Sequence, residues 1–177
     1  MADHPLADVL LAHGRSEDHA TELALFGQFE GSWDLEVSWF KDGVRIRQEQ
    51  GEWHFGWILG RRAMQDVWIV PTRSDQNAGT PPYEYGTSIR FIDPEIGAWR
   101  STWIGPVQCS VRTFLAKQRG DEIVLSGQQL AGRDIEWVFS NITAESFSWR
   151  FQKRSDLGST WEIVQAFECR RRASREE

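Results

Sequence analysis

The fold class is decided by the stretch Gly31-Ser32-Trp33-Asp34-Leu35-Glu36-Val37-Ser38-Trp39 of this 177-residue chain. Apolar residues occupy its odd positions and polar residues most of its even positions, which is the period-two pattern of a β-strand with one buried face. About nine or ten such runs extend to Cys169, separated by turn residues such as Asp42-Gly43 and Gly60. No segment between them is long enough for a crossover helix, so neighbouring strands are predicted to be antiparallel.

An antiparallel meander of this many strands exposes its edges unless it closes on itself. We therefore predict an all-β, antiparallel up-and-down barrel of about eight to ten strands, with room inside for side chains and one small ligand. A two-sheet sandwich is the competing architecture, but hairpin turns nearly throughout favour the barrel. The predicted organisation is an N-terminal helical segment (1–30) with Ser16 as the helix N-cap, the barrel (31–170) and a charged tail (171–177).

Charge and hydropathy restrict the partners. The chain has 20 Lys and Arg against 26 Asp and Glu and no basic block, which argues against nucleic acid. No apolar run approaches the ~20 residues that span a bilayer, and residues 1–13 lack the pattern of a secretory signal. Two cysteines, Cys109 and Cys169, fit reduced thiols in the cytoplasm, although one disulfide between them is left open.

The start of the first strand also resembles a known family. A short helix leading into Gly31-Ser32-Trp33 resembles the glycine-x-tryptophan signature of lipocalins and the wider calycin group, and Arg170 or Arg171 would be the arginine that covers this tryptophan. Residues 57–61, 85–94 and 98–100 resemble uncharacterised bacterial lipocalin-like barrels. The resemblance covers roughly residues 22–170 and implies a barrel with a ligand cavity. Haem-binding barrels of related shape use a histidine near the C-terminal end, where this chain has none, so no cofactor is predicted.

Turn geometry predicts which side chains enter the barrel, because a slip of one residue reverses every side chain of a strand. A two-residue turn at Asp42-Gly43 would pair Lys41 with Val44 and Trp39 with Ile46. The second strand would then point a polar row inward: Gln48, Gln50, Glu52 and His54. Three aromatic residues between them would point outward, beneath the helix or into a partner subunit of a homodimer: Trp53, Phe55 and Trp57.

The middle strands leave two registers open. A four-residue loop at residues 94–97 pairs Phe91 with Arg100. If the apolar residues of the next strand, such as Val111 and Leu115, face inward, then Arg100 also enters the barrel. With the register shifted by one, Arg100 points out and Arg90 enters opposite Ser101. The C-terminal strands would add a mostly aromatic inner wall: Ile135, Trp137, Phe139, Phe147, Trp149, Phe151, Trp161, Ile163, Gln165 and Phe167.

An interior of aromatic walls with a few polar groups predicts a pocket for a small, largely apolar ligand, aromatic or acyl, that bears an acidic or polar group. Arg100 would clamp that group or pair with an acid such as Glu52. The predicted ligand-binding residues are Arg100, His54, Glu52, Gln50, Tyr85, Phe91, Trp137 and Trp149.

Two other functions are left open. In the first, the protein is a lyase, isomerase or hydrolase in which His54, oriented by Glu52, performs acid/base chemistry. In the second, the barrel is filled and acts as an association module. No metal site is predicted, because His54, Glu52 and Asp66 make only a loose set of ligands.

Overall fold

The computed structural model describes residues 4–129, 132–155, 158 and 160–173. It contains three short helices, α1 (Pro5–Leu10), α2 (Ala20–Gly27) and α3 (Arg73–Asn77). Its strands are β1 (Leu11–Ala12), β2 (Gly31–Lys41), β3 (Val44–Ile58), β4 (Ala63–Val70), β5 (Glu84–Asp93), β6 (Ala98–Gly105), β7 (Ser110–Arg119), β8 (Glu122–Gln128), β9 (Asp134–Ser140), β10 (Ser146–Arg154) and β11 (Trp161–Arg171).

Strands β2 to β11 form a closed antiparallel barrel. Each strand pairs with the next along the chain, and β11 pairs back with β2. The short strand β1 adds to β3 outside this ring. The predicted all-β, up-and-down barrel is therefore confirmed, and pairing around the whole ring excludes the sandwich. No helix within the described part of the chain has the length and apolar character needed to cross a bilayer.

Helix α2 closes one end of the barrel. It begins at Ala20, later than Ser16 predicts, and buries Leu23 and Phe26 completely. The Phe26 ring lies 4.8 Å from Trp99, and Phe29, just after the helix, lies 4.8 Å from Phe147. Edge-to-face aromatic packing of this kind buries a large apolar area and fixes the helix in place. Helix α2 and Phe29 therefore plug this end of the barrel with packed aromatic side chains.

The tryptophan of the lipocalin resemblance sits in this plug. The Trp33 indole N–H donates to the Phe29 carbonyl over 2.8 Å, and Arg171 covers the ring with its guanidinium carbon 4.1 Å from the centroid. Arg171 also donates to the carbonyls of Glu30 and Gln28. Of the two arginines expected from the resemblance, Arg171 is the one that joins the last strand to the helix.

The inward face predicted for β3 is wrong because the β2–β3 hairpin contains a bulge. Lys41 pairs with Val44 as expected, but Trp39 pairs with Arg47, so Ile46 is an extra residue. A bulge shifts the register by one and exchanges the two faces of the strand. The odd-numbered aromatics Trp53, Phe55 and Trp57 are therefore buried in the interior, where a partner subunit cannot reach them, and the row Gln50, Glu52 and His54 points outward.

The middle strands adopt the alternative register. Phe91 pairs with Arg100 as predicted, but both point outward, and Arg90 enters the barrel opposite Ser101. The predicted orientation failed because the apolar residues of β7 do not mark its inner face: Val111 and Leu115 are 69% and 45% exposed.

The C-terminal wall is largely as expected. The side chains of Trp137, Trp149 and Phe167 are buried inside the barrel. A second bulge, at Val164, shifts the register of the start of β11, so Trp161 and Ile163 leave the interior. The two cysteines are not bonded: Cys109 is exposed after β6 and Cys169 is buried in β11.

Candidate functional site

Space remains at the end of the barrel opposite α2. There the barrel encloses a cavity of about 250 Å³, reached through a mouth at the end of β2, the start of β5 and the β6–β7 connection. Six aromatic side chains line it: Trp39, Trp68, Tyr83, Trp103, Trp137 and Phe151. Polar groups converge on the same space: Glu84, Gln108, Ser110, Arg112 and Gln165. An aromatic cavity with a few polar groups is the usual composition of a small-molecule site.

Three indole rings form a tightly packed cavity wall. Trp68 lies 4.3 Å from Trp103 and 5.2 Å from Trp137, measured between ring centroids. The strand residue Gly86 makes this packing fit, because a Cβ atom there would lie 2.3 Å from the Trp103 ring. Glycine inside a strand often marks such a close approach. The backbone at Gly86 therefore leaves room for the Trp103 ring that a larger residue would not.

Arg112 supplies a free cation to the cavity. Its guanidinium carbon lies 4.7 Å from the centroid of the Phe151 ring, and the side chain is partly buried. Among the residues that the structure describes, no hydrogen bond or ion pair engages this guanidinium. Burial lowers the pKa of Arg112, and the charge of Glu84 offsets this only in part. A guanidinium with all its donors available suits a planar carboxylate.

Glu84 faces the same space from the first position of β5. The Gln165 side-chain amide donates to both of its carboxyl oxygens, over 3.3 and 3.2 Å. Burial raises the pKa of Glu84 to about 7, although Gln165, Arg112 and Arg47 all act to lower it. Arg47 lies at the rim, with its guanidinium carbon 4.2 Å from the Tyr83 ring. The cavity thus holds a carboxyl group that changes charge near neutral pH.

Two indole N–H groups of the wall lack acceptors. The Nε1 atoms of Trp68 and Trp137 are buried and have no hydrogen-bond partner within the described residues. In contrast, the indoles of Trp53 and Trp57 donate to Asp66 and Glu30 over 2.9 and 3.1 Å. Buried donors in native proteins are normally satisfied by protein, water or ligand. Trp149 behind the wall and Arg90 at the closed end also carry buried donors without a partner among the described residues, so unpaired donors occur at both ends of the interior.

The structure brings few of the predicted site residues to this cavity. Trp137 lines it, and Trp149 packs behind the wall, 5.3 Å from Trp137. Tyr85 lies at the mouth with its side chain on the outer, exposed face. Phe91 is also exposed on the outside, and Arg100 is 52% exposed there, donating to Asp93 over 2.6 Å. The predicted clamp role of Arg100 inside the barrel is therefore wrong.

Glu52 and His54 form a polar cluster on the outer face of β3. The His54 Nε2 atom lies 3.0 Å from a Glu52 oxygen, and Nδ1 lies 2.9 Å from the Ser32 hydroxyl. Burial acts to raise the pKa of Glu52, but hydrogen bonds from Arg73 and His54 lower it to about 2. Because this carboxylate is ionised, it accepts from the Nε2–H group of His54. The sheet separates the cluster from the cavity, so His54 cannot act on a molecule held there.

The cluster anchors α3 to the barrel. Glu52 accepts from the backbone N–H of Arg73 over 2.7 Å and from its guanidinium over 3.0 Å, which fixes the start of α3 to the barrel. Arg172 reaches the same carboxylate over 3.4 Å. The segment after β4, which contains α3, is thereby anchored to the barrel and delivers Tyr83 to the cavity mouth.

No set of three or more histidine, cysteine or acidic side chains is placed to hold a metal ion within the described ranges. Asp66, the third ligand considered, lies inside the barrel. There it accepts from Trp53 and forms an ion pair with Arg90. Asp66 therefore lies on the opposite face of the sheet from Glu52 and His54.

The cavity's polar residues were missed because the inner face of β7 was misassigned. Only Gln165 of the group was expected to point inward. A signal was present in the strand glycines Gly86 and Gly105, which carry no side chain on the inner face where the Trp103 ring packs. Glycines inside strands indicate sites where a ring approaches the backbone closely. Such an approach favours the register in which Trp103, and with it Arg112, points into the barrel.

No protein-family model matches the chain, and no curated protein matches its sequence. Solved structures that are similar in fold include two barrels. Rv2717c from M. tuberculosis is 17% identical with a TM-score of 0.56, over 87% of this chain and 99% of that one. The S-type phycobiliprotein lyase CPES from Guillardia theta is 12% identical with a TM-score of 0.55, over 86% and 93%. These likenesses show that the chain shares the fold of these barrels.

Proposed function

We propose that the protein binds a small aromatic molecule bearing a carboxylate or similar acidic group, in the cavity opposite α2. The observation that carries this proposal is the Arg112 guanidinium, which faces an aromatic cavity without a hydrogen-bonded partner among the described residues. A cation in partly desolvated surroundings binds an anion more strongly than one in water, because the local dielectric is low.

The volume limits the size of the ligand. At about 250 Å³, the cavity lies just below the ~300–1,000 Å³ typical of drug-sized ligand pockets. One or two fused rings fit such a space, whereas a long acyl chain does not. The ring faces of Trp68, Trp103 and Trp137 offer stacking and edge contacts to a planar molecule.

The hydrogen-bond donors set the chemistry of the ligand. The Arg112 guanidinium donates, so the complementary ligand carries acceptor oxygens. Trp149 supports this wall from behind and is expected to influence affinity through packing. The proposed ligand is thus of the class that the sequence predicts, an aromatic molecule with an acidic group. Arg112, and not Arg100, is proposed to bind that group.

Calorimetric titration with 2-naphthoate tests the proposal, with 2-naphthalenemethanol as the neutral counterpart. We expect Arg112→Met to weaken naphthoate binding by roughly 10- to 100-fold, the range of one charged hydrogen-bonded contact, and to affect the alcohol little. Arg100→Met is the matched control, since it removes an arginine on the outer face. Equal naphthoate affinities in the two variants would contradict the assignment of the anchor.

A further inference from the structure

We infer that an aromatic carboxylate enters the cavity together with one proton, which Glu84 takes up. This inference rests on the proposed function, because it requires the ligand's carboxylate to occupy Arg112. It adds a regulatory property: the affinity for the anionic ligand is set by pH through a residue that need not itself touch the ligand.

Ligand binding would place two carboxyl groups in one small space: that of Glu84 and that of the ligand. Glu84 and Arg112 line the same cavity of about 250 Å³, from β5 and β7. Gln165 holds both oxygens of the Glu84 carboxyl group, which keeps it in place when a ligand arrives. A ligand carboxylate on Arg112 would therefore add a second negative charge close to the first. Two carboxylates that share a site do not both ionise at neutral pH, because their repulsion raises the pKa of one of them.

The free protein is poised for this step. Burial already raises the pKa of Glu84 to about 7, and Arg112 is one of the groups that hold it down. A ligand that occupies Arg112 screens this attraction and adds repulsion, so both effects raise the Glu84 pKa further. The proton comes from solvent, and it converts the Glu84 carboxylate to the neutral acid with no other change in bonding.

The groups around Glu84 leave it as the source of pH dependence. Arg47 from β3 and Arg112 from β7 are its cationic neighbours, and Gln165 from β11 is neutral. Tyr83 and Tyr85 are the phenol-bearing residues at this cavity, within the described ranges. No histidine is among the residues that line the cavity, within the described ranges, and His54 lies across the sheet. The exposed thiol of Cys109, beside the lining residue Gln108, is the one further group to control for.

The test is calorimetry of the full chain with 2-naphthoate between about pH 6 and about pH 8.5, in pairs of buffers with different ionisation enthalpies. The naphthoate carboxyl stays ionised throughout this range. Linkage predicts that the dissociation constant rises by roughly tenfold or more across the range, with uptake approaching one proton per ligand. Glu84→Gln should bind with one affinity at every pH, and Cys109→Ser should retain the wild-type dependence.

Each outcome has a distinct meaning. Naphthoate binding without proton uptake, or a pH dependence that persists in Glu84→Gln, would overturn this inference and leave the proposed function standing. Absence of naphthoate binding at every pH would instead overturn the proposed function. Binding of 2-naphthalenemethanol, which adds no charge, should show little proton uptake in the wild type; equal uptake with the alcohol would show that charge repulsion is not the cause.

Discussion

The two ends of the barrel each hold an arginine, a carboxylate and a group of aromatic rings, yet they differ in what the protein leaves unfilled. At the closed end, Arg90 is 1% exposed and pairs with the fully buried Asp66, which also accepts from Trp53. The Phe26 ring of α2 covers the Arg90 guanidinium at 4.7 Å. At the open end lies the cavity of about 250 Å³, and among the described residues no hydrogen-bonded or ion-paired partner engages Arg112.

This difference separates a structural ion pair from a binding group. Burial raises the pKa of Asp66 and lowers that of Arg90, and their contact opposes both changes, so each charge depends on the other. Removing one partner of a buried pair leaves an uncompensated charge. Arg112 has no such partner within the part of the chain that the structure describes and is only partly buried, so its loss should change affinity more than stability.

The largest expected effect is at the closed end. Asp66→Ala should lower the free energy of unfolding by about 3–5 kcal/mol, because Arg90 is then buried without its counterion. Urea unfolding followed by tryptophan fluorescence measures this directly. Arg112→Met is the control and should cost less than about 1 kcal/mol, since it breaks no ion pair. Similar losses in the two variants would show that the ends do not differ as described.

The aromatic rings should show the same contrast on a smaller scale. Phe26→Ala removes a fully buried ring of the plug and should cost about 3–4 kcal/mol. Phe151→Ala removes a ring that already borders open space, so the added void costs less, about 2 kcal/mol. Thermal and urea unfolding of both variants would check the order. A larger loss for Phe151→Ala would argue that the open end is packed as firmly as the closed one.

Glu84 should make the open end sensitive to pH. Its folded-state pKa of about 7 exceeds the ordinary value of 4.5, so the folded protein holds this proton more tightly than the unfolded chain. Its contribution to stability is complete below about pH 4.5 and is lost as pH rises through about 7, by at most about 3 kcal/mol. Glu84→Gln should remove this decline.

Unfolding free energies at about pH 5 and about pH 8 give the required difference. Glu95→Gln, on an exposed turn, is the matched control and should behave as the wild type. If Glu84→Gln retained the whole decline between these pH values, another group would be responsible for it.

The alternation from Trp33 to Trp39, repeated in about nine or ten runs with short turns between them, predicts the barrel, because an antiparallel meander of that many strands leaves edges exposed unless it closes. The side-chain faces were harder to predict. The bulge at Ile46 inserts one residue without any turn signal and reverses the face of every residue from Arg47 onward in β3. Turn residues alone therefore predict the position of the hairpin correctly but assign the wrong side chains of β3 to the barrel interior.

The site depended on a second ambiguity. On β7 the odd residues Val111 and Leu115 are more apolar than the even residue Arg112, so hydrophobicity favours the wrong face. What decides the orientation is the fit of large rings, such as Trp103 against Gly86, which involves three strands at once. The aromatic character of the cavity followed from sequence, whereas the identity of its arginine required the assembled barrel.

The most direct test of the cavity assignment is a ¹H–¹⁵N spectrum of the ten tryptophan indole N–H groups during titration with 2-naphthoate. Trp68 and Trp137, which line the cavity, should shift most as an aromatic ring packs against them. The bonded indoles of Trp33 and Trp57 at the closed end should stay in place. Shifts confined to the closed end, or ten unchanged signals at saturating naphthoate, would contradict a binding site at the open end of the barrel.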